Sequence, residues 1–177
     1  GDVYKRQTIG NNPSAGTASG TLTVAAVAGV ATFPDIQIDN AGVGYTLSFT
    51  SGALTAALSN PFDILSAVPT QLTFLDQPTN AIAGSNIAPA ITIELRDAQN
   101  NIVTTATNTV TLAIGTDPSS GAATLGGTLS VAAVSGIATF SDITLDKAFS
   151  AYSIIASSTG LTGDLSTPFD ITPAVKS

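Results

Sequence analysis

The sequence contains no cysteine, histidine, methionine or tryptophan, and only 10% of its 177 residues are charged. Without cysteine and histidine there is no thiol or imidazole chemistry, no disulfide and none of the commonest zinc ligands. Five basic residues stand against twelve acidic ones, a net charge of -7, which does not suit the dense lysine and arginine contacts that bind nucleic-acid phosphates. The composition therefore argues against most enzyme classes and against a nucleic-acid partner.

The hydrophobic content is high for so weakly charged a chain. Hydrophobic residues make up 44% of the sequence, enough to build a core. The apolar run at residues 24–33 is interrupted by Gly29 and is far shorter than the ~20 residues of a spanning helix. We expect no membrane insertion in this fragment and interpret the apolar runs as core strands.

An internal repeat is the most informative feature of the chain. Residues 21–64 match residues 128–171 without a gap, and more than half of the aligned pairs are identical. The match extends upstream with two extra residues in the second copy, since Ile9 and Gly10 correspond to Ile114 and Gly115. We therefore expect residues 8–66 to be the C-terminal part of a truncated repeat, 67–172 a complete repeat and 173–177 the start of another.

Within a repeat the hydrophobic period is two. Residues 90–95 and 109–114 alternate apolar and polar side chains, which predicts half-buried strands. Glycine, proline, asparagine and aspartate punctuate the chain, and residues 24–33 and 131–140 are predicted hairpins that reverse at Ala28-Gly29 and Ser135-Gly136. About seven short strands per repeat predict an all-β fold, a Greek-key sandwich of immunoglobulin type.

The order of these motifs resembles bacterial immunoglobulin-like repeats of invasin- and intimin-like surface proteins. The resemblance implies tandem Greek-key immunoglobulin-like β-sandwiches, located extracellularly or at the cell surface, with neighbouring repeats as partners and an unknown host or surface ligand. The better-matching members carry glycine where this chain has Asn100, and asparagine tolerates the left-handed backbone needed there. The residues that carry the resemblance are Leu72-Thr73-Phe74, Gln77-Pro78, Ala83-Gly84, Asp97-Ala98-Gln99-Asn100-Asn101, Val110-Thr111-Leu112, Gly136-Ile137-Ala138-Thr139-Phe140, Tyr152 and Pro168-Phe169-Asp170-Ile171.

The composition of residues 2–7 differs from that of the rest of the chain. Residues 2–7 resemble the in-frame translation of an adapter used in sequencing libraries, a contaminant of genes assembled from metagenomic short reads. We expect residues 1–7 to be non-native, so that the absence of a signal peptide carries no information. The alternative is a basic N-terminal tail.

The acidic residues raise the possibility of calcium, which prefers several carboxylate and carbonyl oxygens. The candidate ligands are Asp97, Asn100 and Asn101 in one predicted turn, and Asp142 with Asp146, which correspond to Asp35 and Asp39 in the first copy. Neither set has the ligand density of a dedicated calcium loop. We favour turn capping, in which each aspartate binds nearby backbone amides, and expect no obligatory cofactor.

Tyr45 and Tyr152 occupy matching positions just before predicted strands. This placement resembles the tyrosine corner of Greek-key sandwiches, in which the phenol hydroxyl binds a backbone group.

We identify no catalytic residues, because a serine or threonine nucleophile here would lack its usual base. The leading hypothesis is a non-catalytic structural or adhesion spacer of a large bacterial surface or secreted protein. The alternatives are an accessory module of an extracellular polysaccharide-active enzyme and a ligand- or calcium-binding repeat.

Overall fold

The computed structural model describes residues 4–174. The chain divides into two compact units, and the boundary falls between Ser66 and Ala67. Asp2 and Val3 of the adapter-like segment, and residues 175–177 of the expected third repeat, lie outside the described residues. The described chain is all-β and contains no helix, which confirms the predicted class. Most strand pairs are antiparallel, an arrangement consistent with a β-sandwich.

The first unit consists of short strands. They are β1 (Tyr4–Ile9), β2 (Ala18–Ser19), β3 (Thr23–Ala25), β4 (Gln37–Ile38), β5 (Gly42–Tyr45), β6 (Leu47–Thr50), β7 (Ala57–Leu58) and β8 (Phe62–Ile64). Its main sheet has the order β3-β1-β6-β7, and β2 pairs with β4 and β5 with β8.

The second unit has longer strands and two larger sheets. Its strands are β9 (Gln71–Asp76), β10 (Ala81–Ile82), β11 (Ile91–Arg96), β12 (Thr109–Thr116), β13 (Leu125–Gly126), β14 (Ser130–Ala132), β15 (Ile137–Phe140), β16 (Thr144–Leu145), β17 (Ser153–Ser157), β18 (Asp164–Leu165) and β19 (Ile171–Thr172). One sheet has the order β15-β11-β9 and the other β14-β12-β17-β18. β10 and β19 form a short parallel pair, and β13 pairs with β16.

The core of the second unit lies between these two sheets. Alternate residues of β11 (Ile91, Ile93 and Leu95) have no exposed surface, and they share one buried cluster with Val110 of β12 and Ile154 of β17. The strict alternation in β12, where Thr109 and Thr111 are exposed and Val110 and Leu112 buried, is the predicted period of two. The apolar face of each sheet thus covers that of the other.

The predicted reversals at Ala28-Gly29 and Ser135-Gly136 are confirmed. In both turns the two central residues have positive φ angles, 50° and 83° in the first unit and 51° and 78° in the second. The expectation of full hairpins was wrong, because β14 belongs to the sheet of β12 whereas β15 pairs with β11. The paired hydrogen bonds between Val134 and Ile137 therefore close a turn whose arms separate into different sheets.

The main sheet of the first unit has the same strand order as the β12 sheet of the second unit. β1 pairs with β6 as β12 pairs with β17, so that Gln7 faces Phe49 where Leu112 faces Ala156. In the described part of the first unit, no sheet corresponds to β15-β11-β9, and residues 31–36 belong to no strand.

Candidate functional site

Asp97 organises the turn that contains the first set of predicted calcium ligands. Its carboxylate accepts hydrogen bonds from the backbone amides of Gln99 at 3.0 Å, Asn101 at 2.8 Å and Ala67 at 2.9 Å. The Asn101 side-chain amide also donates to it, at 3.1 Å. Asn100 takes the left-handed backbone conformation expected from the sequence, with φ 67°. The arrangement is a capped turn that also fixes the start of the unit at Ala67.

The Asp97 side chain is buried, and its exposed surface is 1%. Burial opposes ionisation, but the hydrogen bonds from Ala67, Asn101 and Gln99 outweigh it and hold the pKa of Asp97 below the ordinary value of 3.8. The carboxylate is therefore charged at neutral pH, and its oxygens are directed at amide donors of the protein.

Asp142 and Asp146, the second set of candidates, cap a different loop. Asp142 accepts from the backbone amide of Thr128 at 2.9 Å and from its hydroxyl at 2.8 Å, and these bonds lower its pKa. Asp146 accepts from the amide of Thr124 at 2.6 Å and lies 3.1 Å from the Lys147 ammonium; both contacts lower its pKa, the amide more strongly. Each carboxylate thus has amide donors close by.

The first unit repeats these bonds. Asp35 accepts from the amide and hydroxyl of Thr21, at 2.8 Å and 3.0 Å, and Asp39 accepts from the amide of Thr17 at 2.6 Å. Gly20 has φ 95° and Gly127, its counterpart in the second unit, φ 100°. The same aspartate-capped loop therefore occurs in both units.

The candidate calcium ligands are divided between these two loops. Asp97, Asn100 and Asn101 share the first loop, whereas Asp142 and Asp146 flank β16. Within residues 4–174 there is no group of three or more acidic, histidine or cysteine side chains placed to hold a metal ion. The geometry favours capping as the role of these residues.

Both tyrosines make the predicted hydrogen bond. The Tyr45 hydroxyl donates to the Asn40 carbonyl at 2.9 Å, and the Tyr152 hydroxyl donates to the Lys147 carbonyl at 3.1 Å. Neither tyrosine has exposed surface. Burial is the largest cause that raises the pKa of Tyr152.

A shallow depression with a volume of ≈ 410 Å³ lies on the exposed face of the β12 sheet. It is lined by Thr109, Thr111, Ser157, Ser158 and Thr159. These side chains offer hydroxyl groups for hydrogen bonding but no acid or base for chemistry.

An apolar groove with a volume of ≈ 600 Å³ opens on the first unit. Ala31, Phe33, Phe49 and Leu54 line it, and the Phe33 and Phe49 rings lie 5.3 Å apart between centroids. Lys5 is also in the lining and donates to the Ser51 hydroxyl at 2.8 Å. Sequence reasoning assigned Phe33 to a core and did not identify this groove. The available signal was the internal repeat, in which Phe33 corresponds to Phe140. In the described part of the first unit, no sheet equivalent to β15-β11-β9 covers these side chains.

No protein-family model matches the chain, and no curated protein matches it in sequence. Among the described residues, no helix is long and apolar enough to cross a membrane.

Proposed function

We propose that the chain is a non-catalytic spacer segment, built from immunoglobulin-like repeats, of a large bacterial surface or secreted protein. The observation that carries the proposal is the repeated scaffold. Both copies have the caps made by Asp35 and Asp142 and by Asp39 and Asp146, the same tyrosine bond, and one sheet with the same strand order. Such repetition is typical of chains whose role is to set a distance, because each copy reproduces a fold and no copy adds a reactive group.

The connectivity of the second unit supports an immunoglobulin-like Greek key. The chain places β9 and β11 in one sheet, β12 and β14 in the other, β15 back in the first, and β17 and β18 in the second. This alternation, with two antiparallel sheets around one core, is that of immunoglobulin-like sandwiches. The bond from Tyr152, just before β17, to a carbonyl five residues upstream supports a tyrosine corner.

The charged groups of the second unit support a non-catalytic role. Arg96 forms an ion pair with Glu94, and Lys147 pairs with Asp146. Both described cations of this unit are thus engaged with carboxylates, and the acids have structural partners. General acid-base chemistry needs a titratable group held within reach of a substrate, and these contacts serve the scaffold instead.

We also propose that residues 1–7 are non-native. Gln7 takes the strand position of the buried Leu112. Lys5 pairs with Val24 as the buried Val110 pairs with Val131, so Lys5 takes the position of Val110. The Gln7 side chain is fully buried, and its Oε1 has no hydrogen-bond partner. Polar side chains at two apolar positions support the adapter interpretation, since buried polar groups in native proteins are usually paired.

Excision of one period of the repeat from the complete gene tests the spacer role. A spacer that loses residues 67–173 keeps export, stability and the binding of any terminal module, but the distance of that module from the cell surface decreases. Loss of glycan or ligand binding on excision, with export retained, would instead favour an accessory or binding module. The matched control duplicates the same segment and should increase the distance.

A further inference from the structure

The apolar groove of the first unit consists of residues that are core in the second unit. Ala31, Phe33 and Ile36 correspond to Ala138, Phe140 and Ile143. These counterparts are at most 1% exposed. In the first unit the same three side chains are only half-buried. The groove is therefore a surface whose side chains are core residues in the second unit but are not covered by a second sheet in the described part of the first.

The second unit shows what covers this face. Phe140 of β15 lies opposite Ile91 of β11, and Ala138 lies opposite Ile93. β9 then pairs with the other edge of β11. In the first unit the residues equivalent to β15 belong to no strand, so both an apolar face and a strand edge are without a partner there.

We propose that the groove of the first unit is a docking site for a two-stranded β-segment with the chemistry of residues 67–107 of this chain. The segment would add one strand along residues 30–33 and direct alternate apolar side chains onto Phe33 and Ala31. Main-chain hydrogen bonds would contribute affinity, and the apolar alternation would contribute specificity, as in other cases of β-strand addition. The inference rests on the internal repeat and holds whether or not the repeats act as spacers.

The shape and charge of the groove favour this occupant over a small ligand or a polar peptide. Its walls are mainly apolar, and the charged lining residue Lys5 is engaged with Ser51. The covering strand β11 presents Ile91, Ile93 and Leu95 at alternate positions, all fully buried in its own unit. An extended segment with this alternation matches both the apolar face and the edge.

The test uses the full chain and a synthetic peptide of residues 67–107. We expect saturable binding by calorimetry, and amide hydrogen exchange at residues 30–33 that slows by about tenfold or more with the peptide bound. A peptide of the same composition in scrambled order should not bind. Equal binding of both peptides, or no binding of either, would overturn the proposal.

Groove variants provide the matched comparison. Phe33→Asp, or the milder Ala31→Glu, should weaken peptide binding by about tenfold or more. Val43→Asp, at a position 77% exposed and outside the groove, should leave it unchanged. If the groove instead closes against a second copy of the chain, sedimentation will show a dimer that the peptide does not dissociate, and this also contradicts the proposal.

A chimera in which the segment is joined covalently to the first unit makes the test independent of peptide solubility. In this chimera, residues 67–112 replace residues 1–7 and run directly into Thr8, which restores the order of the complete repeat. We expect the amides of residues 30–33 to become protected by about tenfold or more and the first unit to unfold at higher denaturant concentration. An unchanged exchange rate and midpoint would show that the groove does not accept these strands.

Discussion

At the residue scale, single carboxylates fix the loops of this protein. Asp97 connects the start of the second unit to a turn thirty residues later, through its bond to the Ala67 amide. Asp142 and Asp146 hold the loop before β14 in the same way. Because these bonds join backbone donors to charged acceptors, each is stronger than a bond between neutral groups.

Asp97→Ala should destabilise the second unit. The substitution leaves the amides of Ala67, Gln99 and Asn101 without their acceptor at a buried site, which costs about 2–3 kcal/mol. Denaturant unfolding monitored by amide exchange in β11 and β12 measures this change. An unaltered midpoint would contradict the role assigned to Asp97.

The same residue predicts a pH dependence. Because the pKa of Asp97 is lower in the folded state, its stabilisation is complete above the unfolded value near 3.8 and is lost as the pH falls through the folded value. Asp97→Asn should reduce the decline in stability of the second unit as the pH falls below the unfolded value of 3.8. Equal slopes in the variant and the parent chain would show that Asp97 does not contribute.

Gln7→Leu tests the interpretation of the first strand. Leucine restores the side chain found at the equivalent position and removes the unpaired Oε1, so the first unit should gain about 1–3 kcal/mol of unfolding free energy. The reciprocal change Leu112→Gln should cost the second unit about 2–4 kcal/mol. Exchange rates in β6 and β17 report each unit separately. A destabilised Gln7→Leu variant would count against a foreign strand.

At the element scale, the two copies use the same side-chain hydrogen bonds to fix the start of one strand, β17 in the second unit and β6 in the first. β17 is anchored at its start by the Tyr152 hydroxyl and by the Ser166 hydroxyl, which accepts from the Ile154 amide at 2.9 Å. The first unit has the same pair, with Tyr45 and a bond from the Leu47 amide to the Ser59 hydroxyl. These side chains fix where the strand begins, whether or not the opposite sheet is present.

Tyr152→Phe should lower the unfolding free energy of the second unit by about 1 kcal/mol, because one buried hydrogen bond is lost while the ring is retained. Tyr45→Phe should act similarly on the first unit. Chemical denaturation with exchange detection in β17 and β6 measures both. If neither variant loses stability, the tyrosine bond does not anchor the strand.

Much of this element structure could be predicted from local sequence. β11 and β12 lie within two residues of the predicted strands, and the turn at residues 97–101 was recognised by its composition. The separation of β14 and β15 could not be predicted, because it depends on pairing with β11 some forty residues away. For the same reason the Ala67 amide was not anticipated as a partner of Asp97.

At the scale of the whole molecule, the second unit has two larger sheets that cover each other, whereas the first unit has one main sheet and an uncovered apolar face. From the sequence we predicted that residues 8–66 are part of a truncated repeat, and this stays a prediction. The groove, lined by counterparts of core residues, was not predicted, because the exposure of these side chains depends on which partner strands are present.

Calcium should not stabilise either unit. The carboxylates of Asp97, Asp142 and Asp146 already accept amide hydrogen bonds, and a cation would have to displace those donors. We expect the melting temperature to be the same in chelator and in about 5 mM calcium, a concentration above the range of weak extracellular sites. A rise that is abolished by Asp142→Asn would establish the calcium-binding alternative.

Long-read sequencing of the complete gene tests whether this chain is part of a tandem array of spacer repeats. We expect further in-frame copies of the repeat, with apolar residues in place of Lys5 and Gln7 in the strand that precedes Thr8. A gene that encodes residues 2–7 as they stand, or that joins a single repeat to a catalytic domain, would contradict this expectation.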